Sequence, residues 1–146
     1  MKKRILIIIF LLLVALLAAN TVQASSPQYF YLEKTCDQPN SCLLHDAIPP
    51  FDVLNGGRIY YFDHAYFENP AGIMKESAAV LLTSADGQHS LLGSVSWVLR
   101  DGDFRGRYTI SQGTGALEGV HAIGKVEVLS WENGTFSLTG TYHVEP

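Results

Sequence analysis

The sequence has 146 residues, 47% of them hydrophobic and 16% charged, with a formal net charge of −4. That length suits one domain. The acidic balance excludes a protein that grips nucleic acid or an anionic membrane through a basic face.

The N-terminus reads as a leader. Lys2-Lys3-Arg4 precedes an unbroken apolar run over residues 5–19, and Val22-Gln23-Ala24 has the small-x-small pattern of a cleavage site. The run of 15 residues is shorter than the roughly 20 that a membrane span uses. We therefore expect a secretory signal peptide over 1–24 and a single domain over 25–146. The protein is then secreted or periplasmic, with no membrane attachment after cleavage. Without the leader, 7 basic side chains face 14 acidic ones, a net charge of −7.

Residues 29–34 (YFYLEK) are aromatic and alternating, which predicts a first strand. Cys36 and Cys42 follow. In an oxidising compartment they can pair and close the loop around Pro39-Asn40; in a reducing one they remain thiols. Their spacing is not CxxC, and no histidine stands at a finger-like distance, so a metal or redox pair is disfavoured. Residues 43–55 read as irregular, because Pro49-Pro50 forbids both helix and central strand.

Residues 58–68 (RIYYFDHAYFE) form the next strand, aromatic on both faces. Asn69-Pro70-Ala71-Gly72 is a turn. Residues 76–84 and 90–100 predict two strands joined at Asp86-Gly87. On the second, Leu91, Gly93, Val95, Trp97 and Leu99 share one side. Asp101-Gly102-Asp103 turns the chain into residues 104–111, where Phe104, Gly106, Tyr108 and Ile110 alternate with Arg105, Arg107, Thr109 and Ser111. That period of two marks a half-buried strand. After Gly113-Thr114-Gly115, alternation resumes over residues 121–128. Asn133-Gly134 makes a last turn (with Thr135 it also fits a glycosylation sequon), and residues 135–144 form the final strand.

Seven or eight strands at about ten-residue spacing, with turn residues between them and no convincing helix, predict an all-β sandwich or barrel. Glycines inside strands at 93, 106, 124 and 140 favour the barrel, whose strands must bend and coil. The expected fold is an antiparallel closed β-barrel of about eight strands.

The segment Gly113-Thr114-Gly115-Ala116-Leu117-Glu118-Gly119 resembles the GTG-hydrophobic-hydrophobic-Glu-Gly segment of plant allene oxide cyclases and the GGTG segment of dirigent proteins. Asp46-Ala47-Ile48-Pro49-Pro50-Phe51 is similar to a stretch early in the cyclases. Phe62-Asp63-His64 followed by Asn69-Pro70 resembles the Asp-Asp strand end of dirigents. The resemblance covers residues 46–128 and implies an eight-stranded antiparallel barrel, usually trimeric. It departs at Gln112, where a glycine is usual, at His64, where dirigents carry a second aspartate, and at His121, where they carry an arginine. Dirigents use barrel acids to polarise a quinone-methide-like intermediate; the cyclases use a snug apolar cavity that fixes one conformer. The resemblance therefore implies steering by orientation.

On this reading Asp63 is the leading acid, provided that its face points inward. His64 has the opposite parity, so only one of the pair can face a cavity. Glu118 stands at a strand start, where a carboxylate can equally satisfy the backbone of the glycine turn. His121 can serve as acid or base near neutral pH, although its parity groups it with Lys125 and Glu127. Tyr60, Tyr61, Tyr108, Tyr142 and Trp97 are the candidate wall, or else core.

The expected function is a secreted small barrel that holds a small hydrophobic molecule and steers its cyclisation or coupling, as an isomerase-like or dirigent-like protein. No cofactor, metal or nucleic acid is called for, and the resemblance implies a homotrimer. The alternative is a non-catalytic binding or interaction barrel with a packed interior. Catalysis requires at least two ionisable groups converging in the cavity.

Overall fold

The computed structural model describes residues 26–145. The expected signal peptide, residues 1–24, lies outside that range. Eight strands follow one another: β1 (Gln28–Gln38), β2 (Ser41–His45), β3 (Arg58–Glu68), β4 (Met74–Thr83), β5 (Ser90–Arg100), β6 (Asp103–Thr114), β7 (Val120–Ser130) and β8 (Thr135–Val144). Each pairs antiparallel with its neighbour in sequence, and β1 closes on β8 in continuous register from Gln28↔Tyr142 to Thr35↔Thr135. The result is the expected closed antiparallel barrel, which leaves no full-length sheet edge exposed. Among the described residues, no helix is long and apolar enough to cross a membrane.

Turn chemistry fixes the order. Asp101 and Gly102 both have positive φ, 51° and 80°, the type I′ geometry that suits a two-residue hairpin. One expectation needs correction. Ser41–His45 is a strand, paired with both β1 and β3, where the sequence reading began an irregular stretch at residue 43. The irregular chain is confined to residues 46–57, in which Phe51–Leu54 forms a 3₁₀ turn. Gly115–Leu117 forms a second such turn.

Calling the end of the barrel that carries the β1–β2, β3–β4, β5–β6 and β7–β8 turns the top, the 3₁₀ turn Phe51–Leu54 plugs the bottom. The Phe51 ring lies 4.9 Å from Phe30 and 5.3 Å from Tyr142, centre to centre. Tyr108 fills the middle, edge-on to Phe30 at 5.9 Å. It has room because Gly124 and Gly140 face each other across β7 and β8. A Cβ on Gly124 would stand 2.2 Å from the Thr139 carbonyl oxygen and 2.9 Å from the Tyr108 hydroxyl. A void in this layer, between Ile59, Val80, Tyr108 and Leu138, measures about 10 Å³, at the lower limit for one water. The lower barrel is thus a packed core.

Two variants test this packing. A Cβ on Gly140 would lie 2.1 Å from the Ile123 carbonyl oxygen, so Gly140→Ala must push β7 and β8 apart. It is expected to cost about 3 kcal/mol or more, read as a lower urea midpoint at unchanged slope. Cys36 and Cys42 are disulfide-bonded. Replacing both by serine should cost about 2 kcal/mol, as expected for so short a loop, and differential scanning calorimetry would read it as a lower Tm.

Candidate functional site

The top of the barrel is open. Above the Tyr108 layer lies a cavity of about 310 Å³, lined mainly by apolar side chains. One wall is aromatic. Phe104 of β6 lies 5.9 Å from Trp97 of β5, 5.7 Å from Trp131 of the β7–β8 turn and 5.9 Å from Phe136 of β8. The facing wall carries the Cys36–Cys42 disulfide and the polar tip residues Gln38, Asn40 and Ser41.

Lys34 lines this cavity too, in contact with the packed layer below. It shares the inward parity of Phe30 and Leu32, and it is only 7% exposed. Its ammonium donates a hydrogen bond to the Tyr61 hydroxyl. It lies 4.8 Å from the Tyr61 ring centre and 4.9 Å from that of Phe136. Among the described residues no carboxylate comes within ion-pairing distance of it, whereas Lys125 and Arg58 each have one (Lys125–Glu127, Arg58–Asp37). Burial lowers its pKa from 10.5 to about 8, because an apolar site penalises the charged form. The same burial pushes the Tyr61 hydroxyl up, so it stays protonated.

The sequence reading missed Lys34 because it treated the residue as the end of the first strand. β1 runs on to Gln38. The available signal was parity: Phe30, Leu32, Lys34 and Cys36 alternate on one face.

A β-bulge decides the roles of Asp63 and His64. The register jumps from Phe62↔Ala79 to Ala65↔Ser77, so both residues stand against Ala78, the two-against-one pattern of a bulge. Asp63 takes φ of 53° and turns outward; it is exposed and does not line the cavity. His64 takes the inward parity instead. Its Nδ1 lies 2.5 Å from Glu76 Oε1, and both residues line the mouth.

The other sequence candidates separate. Glu118 is exposed at the bottom, following the Gly115–Leu117 turn. His121 stacks on His143 at 5.3 Å and sits 3.5 Å from Glu145, away from the mouth. Tyr60 faces solvent, 42% exposed. Tyr108 and Tyr142 belong to the packed core. Of the expected catalytic and ligand-binding residues, only Tyr61, Trp97 and His64 line the cavity, where Lys34 and Glu76 join them.

One other cluster has ligand-like atoms. Glu33, His45 and Asp46 bring theirs within 4.8 Å of one another. They are already engaged: His45 Nδ1 lies 2.8 Å from Asp46, His45 Nε2 lies 2.8 Å from Thr35 Oγ1, and the Tyr31 hydroxyl donates to Glu33.

No family model matches the chain, and no curated protein or solved structure matches it either.

The site makes a pH-dependent prediction. The unfolded chain holds the Lys34 proton up to about pH 10.5, and the folded chain releases it near 8. Stability lost to burying the charge is therefore fully lost below pH 8 and recovered between 8 and 10.5. Lys34→Met should be more stable than the parent at pH 7 by about 1–3 kcal/mol. The gap should narrow toward pH 10 in urea titrations. An unchanged gap across that window would contradict a buried, uncompensated ammonium.

Proposed function

We propose that the protein is a secreted small-molecule-binding barrel. Its mouth takes a compact, largely apolar ligand, the size of one or two fused aromatic rings, and sets the ligand's one polar end against Lys34 and Tyr61. The observation that carries this reading is an apolar cavity of about 310 Å³ with a buried, unpaired ammonium in its lining. The volume is at the small end of the usual range for ligand sites, roughly 300–1,000 Å³, and an apolar wall with a few convergent polar groups is their usual make-up. The disulfide supports an oxidising compartment, and the closed eight-stranded barrel is the fold that the resemblance to allene oxide cyclases and dirigents implies.

Steering of a bound ligand's cyclisation or coupling is the second reading. It is favoured by the hydrogen-bonded His64–Glu76 pair at the mouth, which places two ionisable groups beside Lys34 in one cavity. On that reading these side chains, rather than Asp63, Glu118 or His121, handle protons.

Trp97 and Trp131 both line the cavity, so a bound aromatic quenches them. Titration with naphthylmethanol should give saturable quenching with one site per chain. Ala78→Phe, which fills the cavity from β4, should weaken binding at least tenfold while the far-ultraviolet circular dichroism stays that of the parent. Linear, non-saturating quenching of the parent by a panel of small neutral aromatics would sink the binding reading.

A further inference from the structure

Building on the ligand-binding reading, we infer that Lys34 is a covalent capture site for apolar aldehydes, which it holds as an imine within the barrel mouth. The geometry separates Lys34 from the other described lysines. Lys75 and Lys125 are exposed, and Lys125 is paired with Glu127 at 2.6 Å. Lys34 is buried, faces two aromatic rings, and has a hydroxyl rather than a carboxylate as its hydrogen-bond partner. The titratable side chains that share the cavity are Tyr61, His64 and Glu76.

Two physical arguments favour a carbonyl over a carboxylate as the polar end of the ligand. The first concerns the free amine. With its pKa lowered to about 8, Lys34 is neutral at pH 7.5 far more often than an ordinary surface lysine. The second concerns charge. A carboxylate would carry a second ion into an apolar cavity and pay its own desolvation. An aldehyde brings no charge, and its condensation can replace a penalised ammonium by a neutral imine.

The step balances without a co-reactant. The Lys34 Nζ lone pair attacks the carbonyl carbon, and the C=O π pair takes up a proton to give a carbinolamine. The nitrogen then loses its remaining proton, the hydroxyl leaves as water, and the C=N bond forms. Tyr61 accepts a hydrogen bond from the amine beforehand. Its hydroxyl is placed to donate to the departing oxygen, and burial keeps it protonated. Amine and aldehyde become imine and water.

The test uses the purified protein with naphthaldehyde and sodium cyanoborohydride, which reduces the imine to a stable secondary amine. Naphthylmethanol, which cannot condense, serves as the equilibrium-binding control. Intact mass followed by peptide mapping should find one naphthylmethyl group per chain, on Lys34, formed at least tenfold faster than on Lys75 or Lys125. Lys34→Met should lose that adduct and leave Lys75 and Lys125 labelling at the slow rate they show in the parent, with the parent's far-ultraviolet circular dichroism. Tyr61→Phe should keep Lys34 as the labelled residue but slow labelling several-fold. Saturable binding of the alcohol with no preference for Lys34 over the surface lysines would overturn the imine and leave the cavity reading standing. Failure of the alcohol to bind, together with unselective labelling, would overturn both.

Discussion

A closed eight-stranded barrel has an interior just wide enough to be filled by side chains or to hold one small ligand, and where those side chains run out decides everything else about this molecule. The contact on which the filling depends is Tyr108 lodged over the paired glycines Gly124 and Gly140. Side chains at either glycine would collide with the neighbouring strand, and the space they leave is taken by one aromatic ring. The arrangement has a cost, since the Tyr108 hydroxyl is buried without a partner, and such a group typically forfeits about 1–3 kcal/mol. In return the middle and bottom of the barrel are solid, through Phe30, Phe51 and Tyr142. The cavity is confined to the top.

Lys34 stands where the solid core gives way to the cavity, and the balance of forces on it is unfavourable. Moving an ammonium out of water costs several kcal/mol even after relaxation. Against that, a hydrogen bond to Tyr61 returns about 1 kcal/mol, and the two ring faces return about 0.5–2 kcal/mol each. The lowered pKa says that these returns do not cover the loss. A methionine or leucine would fill the same position without penalty. A strained electrostatic state of this kind, in a cleft rather than in the sealed core, is the pattern that binding and catalytic sites share.

The barrel was legible in the sequence because its signals are local. Alternation along residues 104–111, the Asp-Gly and Asn-Gly turns and the strand glycines each follow from period and φ preference. β2 was not legible: five residues between a disulfide loop and Pro49-Pro50 carry too little pattern to stand out. The site was legible only in part, and for one reason: parity. An alternating reading propagates inward and outward faces from a single anchor, so one inserted residue reverses every assignment beyond it. The bulge at Asp63 and His64 does this, turning the carboxylate out and the imidazole in, and no residue type nearby announces it. At Lys34 the parity was intact and pointed inward. There the residue type misled, because a lysine after Phe30 and Leu32 reads as a strand end reaching for solvent.

The two walls of the mouth differ in how they are held, and this bears on what the cavity can distinguish. The aromatic wall rises from β5, β6 and β8, strands that are each laddered to a neighbour on both sides. The facing wall is the short β1–β2 hairpin, stapled across its tip by Cys36–Cys42. Both are therefore set before a ligand arrives, which lowers the ordering cost of binding. Apolar walls discriminate poorly among molecules of similar shape, since a methylene is worth only about 1–3 kcal/mol. The unpaired amine supplies the missing selectivity. A ligand with no polar end leaves Lys34 as it already stands and gains only the walls. One that removes or neutralises its charge also recovers what the fold gave up by burying it. Selection by this barrel then depends less on the fit of the aromatic wall than on how a ligand's polar end treats a single nitrogen.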